Sequence, residues 1–127
     1  MMPISYSYVD SQPVIELMLL DKKGRWNRFL AYVDSGAAVT VLTRDDANRV
    51  GLILEKGERI DLHGVSGVIP AYLHAVKIKV ADRILHIRVA FSTSNETPRL
   101  IGRQGLFDKF VVCFNDKRRI VSFNTSG

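Results

Sequence analysis

Three short stretches of this 127-residue sequence carry residue types and spacings that chemistry could use. The first is Asp34-Ser35-Gly36, which places a carboxylate directly after the apolar run Phe29-Leu30-Ala31-Tyr32-Val33 and ahead of Gly36-Ala37-Ala38-Val39. The plain reading of an acid beside Ser and Gly is a turn residue bonded to nearby backbone N–H groups. Here, however, the acid sits between two strongly apolar strands and is followed by very small residues. It is therefore expected to be only partly exposed, close to packed backbone, and suited to acid–base work. The second stretch is Leu100-Ile101-Gly102, two large apolar residues and a glycine ahead of a helix candidate; its plain reading is a buried strand. The third is Gly64-Val65-Ser66-Gly67, a hairpin tip with glycine at both ends, which permits a tight, mobile turn.

Other chemistries find less support. His63, His74 and His86 lack ligand-type spacing and read as solvent-facing strand or loop positions, so no metal is expected. Cys113 lies within an apolar strand and reads as a core residue, and no G-x-S-x-G elbow offers a serine nucleophile. One cysteine excludes an internal disulfide and suits a reducing compartment. The N-terminal residues lack the order of a signal peptide, and no apolar stretch approaches the roughly 18 residues of a membrane span. A cytoplasmic protein without a membrane partner is the expectation. Eighteen Lys and Arg against thirteen Asp and Glu give a net charge of +5. That charge is spread along the chain, and its one tight run, Lys117-Arg118-Arg119 after Asn115-Asp116, reads as a solvated hairpin turn rather than a phosphate patch.

The elements that must position these residues are mostly strands. Residues 14–20 and 25–33 flank Asp21-Lys22-Lys23-Gly24, a hairpin signal. Residues 39–42 form a strand, followed by Thr43-Arg44-Asp45-Asp46, a capping arrangement that opens a short helix closed by Gly51. Residues 60–62 and 68–80 are two arms of the glycine-tipped hairpin. Ala81-Asp82-Arg83 turns into a strand over 84–91, with Leu85, Ile87 and Val89 on one face and His86 and Arg88 on the other. A polar loop over 92–98 leads to Leu100-Ile101-Gly102, a short helix candidate over 103–110, and a last hairpin of 111–114 and 119–123. With no repeat and no linker, the chain reads as one domain over 1–127. It is mainly β, a small closed barrel with one or two short helices.

The order Val33-Asp34-Ser35-Gly36-Ala37, the glycine-tipped hairpin, then Leu100-Ile101-Gly102-Arg103 resembles the retropepsin-like aspartic proteases, the retroviral-type, single-lobe relatives of pepsin. The resemblance covers residues 14–123. It implies an endopeptidase in which two carboxylates share one proton and activate a water. Only one Asp-Ser-Gly is present, so the second acid must come from a homodimer that sets Asp34 of each chain on a two-fold axis. The resemblance further implies that the Ser35 hydroxyl joins the network across the two loops and that Gly36 lets substrate backbone approach. Ala37 would line the cleft. Gly64, Val65, Ser66 and Gly67 would form a flap over an extended peptide, and Leu100-Ile101-Gly102 would pack behind the catalytic loop. No cofactor is implied.

Two departures stand out. Ala38 occupies the place where viral members carry an acid that pairs with the arginine after the second glycine, here Arg103. Arg103 must then find Asp108 or Asp45, or stay solvated. Residues 1–12 and 124–127 show no clear match to viral dimerisation strands. Two alternatives remain open on sequence. One is a catalytically silent, protease-like dimerisation or peptide-binding module. The other is a KH-like nucleic-acid-binding domain, suggested by Ile101-Gly102-Arg103-Gln104-Gly105 and the basic charge. The strand-rich character of the chain argues against the second, so nucleic acid is not the expected partner.

Overall fold

The computed structural model describes residues 3–65 and 67–125. Among the described residues there are ten strands: β1 (Ile4–Ser7), β2 (Val14–Leu20), β3 (Trp26–Val33), β4 (Thr40–Leu42), β5 (Glu58–Gly64), β6 (Gly67–Val80), β7 (Arg83–Ser92), β8 (Leu100–Ile101), β9 (Val111–Asn115) and β10 (Ile120–Asn124). One α-helix, α1 (Arg44–Arg49), and a 3₁₀ turn at Leu54–Lys56 lie between β4 and β5.

Period-2 alternation sets the barrel. In β2 the buried positions are Ile15, Leu17 and Leu19, and in β7 they include Leu85, Ile87 and Val89. Each such side chain contributes about 1.5–3 kcal/mol on leaving water. The strands run in the order β2-β3-β8-β4-β7-β6, and pairing of Met18 with Lys79 and Leu19 with Ile78 brings β6 back onto β2. Closure of these six strands removes the open edges that a sheet otherwise exposes. Strand β5 lies outside the closed ring and, among the described residues, pairs only with β6, from Glu58↔Leu73 to Gly64↔Gly67. A separate sheet, β1-β10-β9, joins the two ends of the chain.

Turn chemistry pins the register. Between β2 and β3, the Asp21 carboxylate accepts from Asn27 Nδ2 (3.0 Å) and from the amides of Arg25 and Lys23 (both 2.9 Å), while Gly24 adopts φ +81°. Bonds from Asn27 and from the Arg25 amide hold that carboxyl well below the usual range against the opposing effect of burial. Helix α1 opens on the expected capping box. Thr43 Oγ1 accepts from the Asp46 amide (3.2 Å), and Asp46 Oδ2 accepts from the Thr43 amide (3.0 Å).

Several expectations need correction. The helix candidate over 103–110 is an irregular wide turn over Arg103–Phe107, in which Gln104 and Gly105 are non-helical. Gly105 has φ +81°, and a Cβ there would lie 2.5 Å from Ile87 Cγ2, so tight packing on β7 overrides the helical spacing of Leu106, Phe107 and Phe110. Gly102-Arg103-Gln104-Gly105 thus follows a strand and enters an irregular turn, not a helix–loop–helix, which removes the KH-like alternative. Cys113 is exposed rather than core, because β9 is the outer strand of its sheet. His74 is not solvent-facing: it is half-buried, bonded to the Leu54 carbonyl oxygen (2.9 Å) and set edge-on to Phe91. Strand β1 was not foreseen.

Candidate active site

Asp34 follows β3 in the loop that leads to β4, and the short strand β8 is wedged between those two. It runs parallel to β3 (Tyr32↔Leu100, Val33↔Ile101) and antiparallel to β4 (Val41↔Leu100). The wedge grips the loop backbone. Asp34 N donates to the Ile101 carbonyl (3.0 Å), Arg103 N to that of Ala37 (2.9 Å) and Gln104 N to that of Ala38 (2.9 Å). Gly102 N donates to Thr40 Oγ1 (3.1 Å), a fully buried hydroxyl that sequence reading missed because Thr40 merely begins an apolar run. A Cβ on Gly102 would fall 2.2 Å from the Val39 carbonyl oxygen and 2.9 Å from that of Ala37. Glycine is required here by space alone, since its φ of −100° suits any residue.

The carboxylate itself is half-buried, and its Oδ1 accepts from the Gly36 amide (2.8 Å), which fixes the side chain over its own loop. Asp34 borders two cavities. One, of about 650 Å³, opens beneath the β5–β6 hairpin and is lined by Ala37, Val39, Ile60, Leu62 and Leu100 among others, with Gly64, Val65 and Gly67 of the tip along the same wall. Its apolar floor includes Val41, which belongs with Ala71 and Ala90 to a small buried cluster separate from the barrel core, and Val39, Ile60, Leu62 and Leu100 of the lining pack against that cluster. The other, of about 450 Å³, joins Asp34 and Ser35 to Phe114 of β9 and Asp116 of the turn that follows it. Ser35 is exposed, and its hydroxyl makes no hydrogen bond among the described residues. Thus Asp34, Ala37, the hairpin tip and Leu100 come together around one cleft, with Ile101 and Gly102 behind the loop. Ser66 lies outside the described residues.

Arg103 does not join this cluster through its side chain. It is exposed and pairs with neither Asp108 nor Asp45, which is the solvated outcome among the three foreseen. The ion pair of this region forms four residues earlier. Arg99 Nε and Nη2 donate to Asp46 Oδ2 (2.8 Å) and Oδ1 (3.0 Å), anchoring the lead-in to β8 on the capping box of α1. Burial works to raise the Asp46 pKa, but the bonds from Arg99 and Thr43 outweigh it and leave the carboxyl below its ordinary value. A carboxyl depressed in the folded state stabilises the fold above its unfolded pKa, and that contribution disappears as pH falls through the folded value. Arg99→Ala is therefore expected to cost about 2–4 kcal/mol near neutrality in urea denaturation, by leaving Asp46 charged and under-partnered. The gap from wild type should narrow as pH drops below about 4; a gap that stays constant with pH would contradict this.

Among the described residues no group of three His, Cys, Asp or Glu side chains is placed to hold a metal ion, and no helix is long and apolar enough to cross a membrane.

A closed barrel presenting one Asp-Ser-Gly loop beneath a hairpin is the architecture of a single-lobe acid protease. Comparisons agree. The family model described as aspartyl protease matches residues 23–104. Among solved structures, the EIAV protease complexed with the inhibitor HBY-793 superposes with a TM-score of 0.61 at 22% identity, over 79% of this chain and 89% of that one. A retropepsin-like aspartic protease from Rickettsia conorii does so with a TM-score of 0.70 at 17% identity, over 96% and 98%. No curated protein matches the sequence. The chain belongs to the aspartyl protease family, with the retropepsin-like fold, and is an aspartic-type peptidase.

Proposed function

We propose that the chain, taken as one protease domain over 1–127, is an endopeptidase active only as a homodimer, with Asp34 of each copy forming the catalytic pair. The observation that carries this reading is the lone Asp-Ser-Gly loop. The barrel supplies one rigidly held carboxylate at the border of a cleft, and the chemistry needs two. One ionised Asp34 takes a proton from a water as its oxygen bonds to the scissile carbonyl carbon. The protonated Asp34 of the second copy gives its proton to the carbonyl oxygen, so a neutral gem-diol forms. Collapse of that diol breaks the C–N bond as the leaving nitrogen accepts a proton, and the pair regains its single hydrogen.

In this reading the unbonded Ser35 hydroxyl finds its partner across the two-fold. Gly36 and Ala37 border the scissile bond. Residues Gly64, Val65, Ser66 and Gly67 close as a flap and exclude water, and the free edge of β5 takes an extended peptide by strand addition. Leu100, Ile101 and Gly102 hold the loop, and Arg103 does so through its backbone. The apolar floor under Asp34 supports an apolar side chain beside the cleaved bond.

Peptide cleavage measured against enzyme concentration tests the assembly. Specific activity is expected to fall on dilution, with rate approaching second order in chain concentration, as a dimer dissociates. Specific activity that stays constant while sedimentation reports single chains would overturn the reading.

A further inference from the structure

A third cavity lies away from both the catalytic loop and the hairpin tip. It measures about 500 Å³ and sits where β6 and β7 meet the turn over Arg103–Phe107 and the two residues after it. Strand register explains its shape. Val76 pairs with Ile87, and both side chains belong to the barrel core, so at this pair only backbone faces outward. Their neighbours alternate to the outer side, with Lys77 opposite His86 and Ala75 opposite Arg88. The short Ala75 side chain leaves room that three longer, nitrogen-bearing side chains surround. Gln104, Asp108 and Lys109 wall the side formed by the turn.

The charges around this cavity are uncommitted. Lys77 is half-buried, yet its ammonium has no acceptor among the described residues, whereas Lys79 sits over the Trp26 ring at 4.9 Å. The Lys109 ammonium, the His86 ring and the Asp108 carboxylate likewise have no partner among the described residues. Arg88 commits one nitrogen to Glu58 (2.7 Å) and keeps its other donors. A cation drawn partly out of water is best compensated by an anion, and Asp108, the one acid of the lining, pairs with neither lysine. Three cations and an imidazole around one space suit a phosphate group, which Lys meets as a point charge and Arg through its fork. Asp108 would repel a bare phosphate, but a carboxylate accepts from hydroxyl groups. The volume falls within the roughly 300–1,000 Å³ of small-molecule sites. We propose that this cavity binds a phosphorylated small molecule that bears hydroxyl groups, of the sugar phosphate class. Its phosphate rests on Lys77, His86, Arg88 and Lys109, and a hydroxyl donates to Asp108. The ligand thereby bridges β6 and β7 to the turn whose Arg103 and Gln104 amides hold the catalytic loop at Ala37 and Ala38, and stiffens that support from outside the cleft.

Titration calorimetry of the full chain with ribose 5-phosphate, inorganic phosphate and ribose, all at one ionic strength, tests the site. Ribose 5-phosphate is expected to saturate one site per chain and to bind more tightly than inorganic phosphate, with ribose alone giving no binding. Lys77→Met and Lys109→Met are each expected to weaken binding of ribose 5-phosphate by at least about tenfold, through loss of a charge-assisted bond. Arg118→Gln removes one charge from the exposed turn after β9 and is expected to leave binding unchanged. Asp108→Ala should erase the preference for the sugar phosphate over inorganic phosphate. Thermal unfolding shows which variants are folded, and a folded variant at either lysine decides the outcome. At saturation, hydrogen exchange at the Arg103 and Gln104 amides is expected to slow. The site is overturned if neither phosphate probe binds saturably, if a folded lysine variant binds as wild type does, or if Arg118→Gln loses as much. A preference that survives Asp108→Ala, or unchanged exchange at those two amides, overturns it equally. None of these outcomes depends on the homodimer reading.

Discussion

Asp34→Asn is expected to reduce peptide turnover by at least about 10³-fold while leaving the fold intact. The amide keeps the volume of the carboxylate, and its oxygen can still accept from the Gly36 amide, the bond that orients the side chain at 2.8 Å. Asp34 makes no ion pair among the described residues, so no buried partner is stranded by the change. Stability is expected to move by less than about 1 kcal/mol, the ordinary range for a half-exposed isosteric substitution. What is lost is the proton exchange itself, since an amide neither takes a proton from water nor returns one to a carbonyl oxygen. Cleavage assays beside thermal unfolding separate the two quantities. Turnover near the wild-type rate by a pure variant would mean that another group performs the chemistry.

The second large effect falls on a residue with no chemistry of its own. Gly102→Ala places a carbon where the Val39 carbonyl oxygen stands 2.2 Å away and the Val39 carbonyl carbon 2.4 Å away. Those atoms belong to backbone held on both sides, at Ala37 and Ala38 by the Arg103 and Gln104 amides and at Thr40 by the Gly102 amide that its hydroxyl accepts, so they cannot yield as a flexible side chain would. Overpacking of this kind costs about 1–3 kcal/mol in stability. The larger consequence is for turnover. The 34–39 loop must shift bodily, and a displacement near 1 Å of a catalytic group costs roughly 10²-fold. Gly64→Ala provides the contrast in stability, because nothing lies within 4 Å of the added carbon. Urea denaturation and peptide turnover of both variants check this. Equal stability of the two variants would show that the loop is more compliant than its hydrogen bonds imply.

Local rules carried much of the fold. The alternation of Ile15, Leu17 and Leu19, the Asp21 to Gly24 turn and the Thr43–Asp46 capping box are interactions between residues close in sequence, and each is visible in the order of residue types. Asp34 was conspicuous because a carboxylate between apolar strands is out of place unless it is used. What escaped notice depends on long-range packing. The partner of Arg99 is Asp46, 53 residues away, and nothing near either residue distinguishes it from Asp45 or Asp108. The helical spacing of Leu106 and Phe110 was real, but Gly105 packs against Ile87 and breaks the helix. The apolar run over 111–114 describes a strand equally well at the centre or the edge of a sheet. The exposure of Cys113 therefore appeared only once the strand order was known.

Central to the account is that each active site contains Asp34 from two chains. Mixing wild type with Asp34→Asn at constant total concentration, after allowing subunits to exchange, tests it most directly. If the two carboxylates belong to one site, mixed dimers are inactive and cleavage falls as the square of the wild-type fraction. Cleavage in strict proportion to the wild-type fraction, with exchange verified by sedimentation of a size-tagged partner, would contradict it.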